Sequence, residues 1–220
     1  MVAFLDALDP DQAAALRDAG VVRKYPRGAA IFHERQPFDR AIILLEGRVK
    51  LTSTTDDGRE IVLAVRDAGE LVGEMSAIDG EPRSATAIAL EPVQVLAVPP
   101  SSFTAFLERN PKATLVLLQT VTRRLRDADR KRVEFSAQDS VGRVAARLVE
   151  LAERYGAQDS NGVRIDLPLS QEELASWTGC SREAVSKALQ TMRDLGWLAT
   201  GRRRITLIDL QAMRRRGGAG

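Results

Sequence analysis

Short apolar runs broken by glycine dominate the first half of the chain. In AIILLEGRVKLTSTTDDGREIVLAVRDAGELVGE, strand-like pieces at Ala41 to Leu45, Val49 to Thr54 and Ile61 to Val65 are separated by Gly47, Asp57-Gly58 and Gly69. Asp-Gly between two β-rich runs predicts a hairpin, because these residues tolerate the positive φ of a tight turn. Strands at this spacing from Val21 to about Val98 predict a small barrel or roll. After Pro99-Pro100 the period changes. A short helix is predicted from Ser102 to Leu107, a break at Asn110-Pro111, and a long helix from Lys112 to roughly Phe135. Within it Leu118, Val121, Leu125, Ala128, Arg132 and Phe135 recur at alternating steps of three and four, the spacing of a coiled-coil seam. Such a seam, flanked by Arg123, Arg124, Arg126, Arg130 and Lys131, needs a partner surface, either its own β domain or a second copy of the chain in a homodimer.

Beyond Gln138 the pattern is helical with a different logic. Asp139 or Ser140 can cap a helix to about Tyr155, with Val141, Val144, Ala145, Leu148, Leu151 and Ala152 on one face. GAQDSNG then reads as a polar, glycine-bounded loop. Ser170-Gln171-Glu172-Glu173 is a capping box opening a short helix that ends near Thr178-Gly179, and Ser181 caps a second helix. Helix, glycine turn, helix is the helix-turn-helix order. On the second helix Val185, Leu189 and Met192 share one side, and Arg182, Glu183, Ser186, Lys187 and Gln190 the other. Arg or Lys can donate to guanine and Glu can accept from the cytosine amino group, so this polar side is suited to base edges. Gly196 to Thr200 and Arg204 to Ile208 then predict a hairpin around Gly201-Arg202-Arg203, a wing with arginines placed for phosphate. A mixed-charge helix face is ordinarily just solvated; capping box, turn glycine, two-faced helix and basic wing in this order favour DNA.

Composition narrows the function classes. With 220 residues, 44% hydrophobic content and net charge +2, the chain can bury a real core and is neither an acidic nor a basic tail protein. Charge is nonetheless divided: residues 1–138 carry net −1 and residues 139–220 net +3, which makes the carboxy-terminal third the better match to a polyanion. The sole cysteine, Cys180, cannot form an internal disulfide, no signal peptide or membrane-spanning run is visible, and the expected compartment is the cytoplasm. One cysteine and one histidine leave no ligand set for an iron–sulfur cluster or for haem, and His33 falls in an apparent strand. The same scarcity leaves no nucleophile–base or metal-ligand spacing, so an enzyme is not expected.

One stretch remains, GEMSAIDGEPRSATA, with a carboxylate after Gly73 and a guanidinium nine residues beyond it at Arg83. GELVGEMSAIDGEPRSATA resembles the phosphate-binding cassette of the cyclic AMP receptor protein and Fnr (Crp/Fnr) superfamily of bacterial transcription regulators, and CSREAVSKAL resembles its recognition helix. The likeness covers almost the full length. It implies an α+β fold: an amino-terminal β-roll sensing domain over residues 1–110, a dimerisation helix and hinge over 111–138, and a winged helix-turn-helix over 139–220. It implies that Glu74 holds a ribose 2′-hydroxyl, that Arg83 and Ser84 hold a cyclic phosphate beside Gly73, and that Arg124 pairs with Glu74. Where cyclic-AMP-binding members place Thr-Ser or Thr-Asn, this chain aligns Ala128-Asp129, so Asp129 becomes the candidate for the base and leaves cyclic AMP and cyclic GMP both open. The implied dimer seam is Leu118, Val121, Leu125, Ala128 and Phe135. The implied DNA contacts are Ser181, Arg182, Glu183, Ser186, Lys187 and Arg203 on a palindrome of TGTGA-like half-sites, with RNA polymerase as a further partner and no membrane. No cofactor is required. Regulation without a nucleotide, or a signalling module acting on a protein partner, are the alternatives.

Overall fold

A computed structural model describes residues 3–165, 170–201 and 204–218. The chain divides into two compact units, one up to Arg126 and one from Asp127 on. The first opens with a short 3-10 turn and α1 (Pro10–Asp18). There follow β1 (Val21–Tyr25), β2 (Ala30–Phe32), β3 (Ala41–Glu46), β4 (Val49–Thr54), β5 (Glu60–Arg66) and β6 (Leu71–Val72). The unit continues with α2 (Glu74–Asp79), β7 (Thr86–Ala89), β8 (Val93–Val98), α3 (Pro100–Arg109) and the first part of α4 (Pro111–Ala137). Two antiparallel sheets form, in the orders β1-β8-β3-β6 and β2-β7-β4-β5.

The unbroken apolar run at β3 has a direct cause. Ile42 and Leu44 point between the sheets, where they meet Phe32, Val49, Val72, Ala87 and Val95. Ala41 and Ile43 point the other way, into a second core with Phe4, Leu16, Phe103, Phe106, Ala113 and Leu117 from the helices. A strand covered on both faces has no solvent side to make polar. The Asp57-Gly58 hairpin between β4 and β5 forms as expected: Gly58 takes φ +81°, and its N–H donates to the Thr55 carbonyl at 2.8 Å. His33, expected in a strand, instead lies exposed just after β2, in a turn whose next residue but one, Arg35, has φ +65°.

The second unit contains the end of α4, α5 (Ser140–Tyr155), β9 (Gly156–Asp159), β10 (Gly162–Ile165), α6 (Gln171–Thr178), α7 (Arg182–Asp194), β11 (Leu198–Gly201), β12 (Arg204–Leu207) and α8 (Leu210–Arg216). Its sheet runs β11-β12-β10-β9, all antiparallel. Val144, Leu148 and Leu151 of α5 are buried, as are Leu174 and Trp177 of α6, Val185, Leu189 and Met192 of α7, and Leu207 of β12. GAQDSNG, expected as a loop, is most of the β9–β10 hairpin. Where β10 meets β12, Gly162 sits at φ +139° so close to the Leu207 carbonyl that a β-carbon would overlap it. Asp139 caps α5 by accepting from the Gly142 N–H at 2.9 Å. Among the described residues no helix is long and apolar enough to cross a membrane.

Candidate effector site and nucleic-acid interface

The cassette is built on a left-handed glycine. Gly73 at φ +73° turns the chain from β6 into α2, and a β-carbon there would overlap the Arg83 guanidinium. Any side chain at 73 would therefore be strained and would expel the arginine. Glu74, the first residue of α2, is buried, and its Oε2 lies 2.5 Å from Arg124 Nη1. The other Arg124 terminal nitrogen donates to the Leu71 carbonyl at 2.8 Å and lies 3.5 Å from Glu70 Oε1. The long helix is thus fastened to the cassette by a guanidinium that reads both β6 and α2.

Arg83 is 1% exposed, a rare burial for an arginine. Its Nη1 donates to the Gly73 carbonyl at 3.1 Å, and its Nη2 donates to the Arg40 carbonyl at 2.5 Å and to Asp39 Oδ1 at 3.4 Å. The guanidinium carbon lies 4.3 Å from the Phe32 ring centroid and 5.0 Å from that of Phe38. Burial pushes its pKa below the ordinary value, and Asp39 pushes back. Among the described residues its Nε–H finds no acceptor. Ser84 is exposed, its hydroxyl 3.7 Å from the Met75 sulfur. The structure therefore brings Gly73, Glu74, Arg83 and Arg124 together, with Ser84 at the rim. Asp129 and Ala128 lie exposed on α4, beyond the boundary of this unit. Phe32, Phe38 and Asp39 carry no sequence signal for this site. The polar run FHERQPFDR carries no period that would aim them at a residue more than forty positions away.

Along α4 an apolar row is left uncovered in the single chain. Leu118 and Leu125, seven residues apart, are each 61% exposed, and Leu115 and Val133 are exposed as well. Val121, placed in the same seam by its spacing, packs partly buried against the helical core of the first unit. Phe135 is 39% exposed and lies over the helix-turn-helix turn: a β-carbon on Gly179 would come within 2.6 Å of its ring. The Arg143 guanidinium stands 5.5 Å from the same ring. Nearby, Arg147 is buried against the Trp177 ring at 5.3 Å, with Glu134 and Glu150 as ionic partners, and burial brings its pKa down to about 10.

The reading unit follows its local signals closely. Ser170 accepts from the Glu173 N–H at 3.1 Å while Glu173 accepts from the Ser170 N–H at 2.9 Å, which closes the capping box at the start of α6. Gly179 ends that helix at φ +59°, and Ser181 caps α7 by accepting from the Ala184 N–H at 3.1 Å. Ser181, Arg182, Glu183, Ser186, Lys187 and Gln190 are all exposed, whereas Val185, Ala188, Leu189 and Met192 are buried. Gln171, at the start of α6, joins Arg182, Glu183, Ser186, Lys187 and Gln190 along one open groove. An exposed helix face rich in donors, beside a hairpin wing formed by β11 and β12, has the form of a major-groove reader. Arg203, expected at the wing tip, lies outside the described residues.

Residues 22–110 match the model of the cyclic nucleotide-binding domain, and residues 142–216 match that of the Crp-like helix-turn-helix domain. The CRP-like cAMP-activated global transcriptional regulator of Mycobacterium tuberculosis is 32% identical over 213 residues, which is 97% of this chain and 95% of that one. The chain belongs to the Crp/Fnr family. The cyclic AMP receptor protein of Thermus thermophilus is 33% identical over 179 residues, 81% of this chain and 80% of that one. Among solved structures, the c-di-GMP responsive global regulator CLP of Xanthomonas campestris superposes with a TM-score of 0.82, covering 90% of this chain and 99% of that chain. At 23% identity that likeness speaks to the fold alone. The expected α+β architecture of β-roll, long helix and winged helix-turn-helix holds for this Crp/Fnr protein. It is a DNA-binding transcription regulator, as members of the family are, and not an enzyme.

Proposed function

We propose that this Crp/Fnr regulator works in the cytoplasm as a homodimer whose affinity for a palindromic DNA site is set by a cyclic nucleotide held in the cassette. The observation that carries the reading is the Glu74–Arg124 pair, which joins the cassette to the long helix. A ligand that engages Glu74 acts directly on the element expected to dimerise. Glu74 takes the ribose hydroxyl, Arg83 with Ser84 takes the cyclic phosphate beside Gly73, and the unpartnered Arg83 Nε–H is a donor in reserve for a phosphate oxygen. Cyclic AMP is the first candidate because the Mycobacterium tuberculosis relative is named for activation by it. Asp129 in place of a hydroxyl residue keeps cyclic GMP in the test. Leu118 and Leu125 cover each other across the two-fold axis, with Ala128 at the same interface and Val121 and Phe135 shared with the protomer's own packing. Arg182, Glu183 and Lys187 read TGTGA-like half-sites about one helical turn apart, Ser181 and Ser186 flank them, and Arg203 in the wing holds phosphate. Contact with RNA polymerase turns occupancy into regulation.

Binding energy can shift the protein only through differential affinity for the DNA-competent arrangement. The test is therefore paired: calorimetric titration with cyclic AMP and cyclic GMP, and fluorescence anisotropy on a TGTGA palindrome with and without each nucleotide. Heat from one nucleotide together with tighter DNA binding is expected. No heat from either, with DNA affinity unchanged, rejects nucleotide control. That result would favour regulation without a nucleotide, a second reading that draws on the near-complete internal pairing of Arg83.

A further inference from the structure

Arg83 is the most deeply buried cation of the first unit, and its neighbours form a small closed circuit. Residues 37–40 pass over it as a strap: Phe38 lies on one face of the guanidinium, the Arg40 carbonyl takes one Nη2 proton, and Asp39 faces the same nitrogen. Two features make Asp39 unlike the carbonyl partners. It carries the negative charge, the property that a phosphate would bring. It also stands at 3.4 Å from Arg83 while Arg40 Nε donates to its Oδ2 at 2.6 Å, so its shorter bond goes elsewhere. Its side chain is 37% exposed against 0% for Arg83, so it can swing outward and keep Arg40 as its counter-ion. Burial raises the Asp39 pKa, but Arg40 first and Arg83 after it hold it below the ordinary carboxylate value, so it is fully charged at neutral pH.

We propose that Asp39 is a built-in counter-anion that occupies Arg83 in the free protein and competes with the phosphate of the effector, so that Asp39 sets the affinity of the cassette for anionic ligands. This inference rests on the cyclic-nucleotide reading of the same site. Besides Asp39, the carboxylate that acts on buried Arg83 is Glu74, which is already paired with Arg124, so the strap supplies most of the compensation that a buried cation needs. An arriving phosphate replaces one anion by another, Asp39 retires to Arg40, and the site never passes through a bare buried charge. The arrangement also grades ligands by charge: a neutral nucleoside offers nothing to Arg83 and leaves Asp39 where it is.

The experiment compares the full chain with Asp39→Asn, a near-isosteric change that keeps a carbonyl for Arg40 and removes the charge. Both are titrated with cyclic AMP, inorganic pyrophosphate and adenosine. Asp39→Asn is expected to bind cyclic AMP about tenfold more tightly, a gain between those of exposed and buried ion pairs. Pyrophosphate should gain in the same direction, and adenosine should not change. Equal or weaker binding of cyclic AMP by Asp39→Asn overturns the competitor role alone and makes Asp39 a positioning residue for Arg83. Equal gains for adenosine and cyclic AMP also overturn it, because a loosened strap rather than a removed charge would then be the cause. No binding of any anion by either form overturns both the competitor role and the nucleotide reading.

Discussion

Gly179→Ala probes whether the end of the long helix really rests on the helix-turn-helix turn. The substitution has two separable costs. An alanine at φ +59° sits in the left-handed region, worth about 1–2 kcal/mol. Its β-carbon would also stand 2.6 Å from Phe135 Cε1, closer than packed carbons approach, so the ring must move. Because Phe135 is 39% exposed it can move outward, which puts this second cost near the low end of the overpacking range, about 1 kcal/mol. Gly179→Ala should therefore destabilise the second unit by about 2–3 kcal/mol. In a Phe135→Ala background only the backbone cost remains, so the double variant should be less destabilised than the sum of the singles by about 1 kcal/mol, well above the usual error of additivity. Urea unfolding followed by tryptophan fluorescence reads this cleanly, since both tryptophans, Trp177 and Trp197, belong to the second unit. A coupling indistinguishable from zero would refute the packing of Phe135 on the turn.

Leu125→Glu places a carboxylate in the exposed apolar row of α4; if that row is the dimer seam, the variant sediments as a monomer and loses specific DNA affinity, and an intact dimer would remove the row from the interface. Arg182→Ala should cost about 1–3 kcal/mol on the specific site and relax preference at one base, as read from a randomised half-site library; an equal loss on every sequence would make Arg182 a phosphate contact. Asp139 is held below the ordinary carboxylate pKa by the hydrogen bond from Gly142 and then by Arg216, so its contribution is present above about pH 4 and is lost as pH falls through the lower folded value. Thermal melts of Asp139→Asn and the parent should accordingly differ at neutral pH and converge on acidification; a constant gap would assign the loss to something other than that charge.

What could be read in advance divides by the range of the forces involved. The capping box at Ser170 and Glu173, the Ser181 cap, the Gly179 terminus and the Asp57-Gly58 hairpin are made by residues within four positions of each other, and each is legible as a short pattern. Local signals likewise place the bounds of α4 and α5 to within a residue or two. The surroundings of Arg83 were not legible, because Phe32, Phe38 and Asp39 reach it across the roll from segments with no period of their own. Val121 shows a subtler failure. Heptad spacing names every apolar position on one side of a helix, but α4 has two apolar demands, one from its own core and one from whatever covers Leu118 and Leu125. Spacing alone cannot apportion a residue that lies between them.

The β9–β10 hairpin looks like a loop in the sequence for a reason that also describes its use. In the order β11-β12-β10-β9, strand β9 ends the sheet, and among the described residues one row of its amides and carbonyls has no neighbouring strand. An open edge of this kind can recruit a strand from another molecule and seed aggregation. Gly156-Ala157-Gln158-Asp159 is only four residues long, weak in β-forming side chains, and ends in a charge. The composition that makes it look like a loop makes it a poor template for a foreign strand. Gln158→Val with Asp159→Val would give this edge β-forming side chains and remove its charge, and should make the protein precipitate at concentrations the parent withstands.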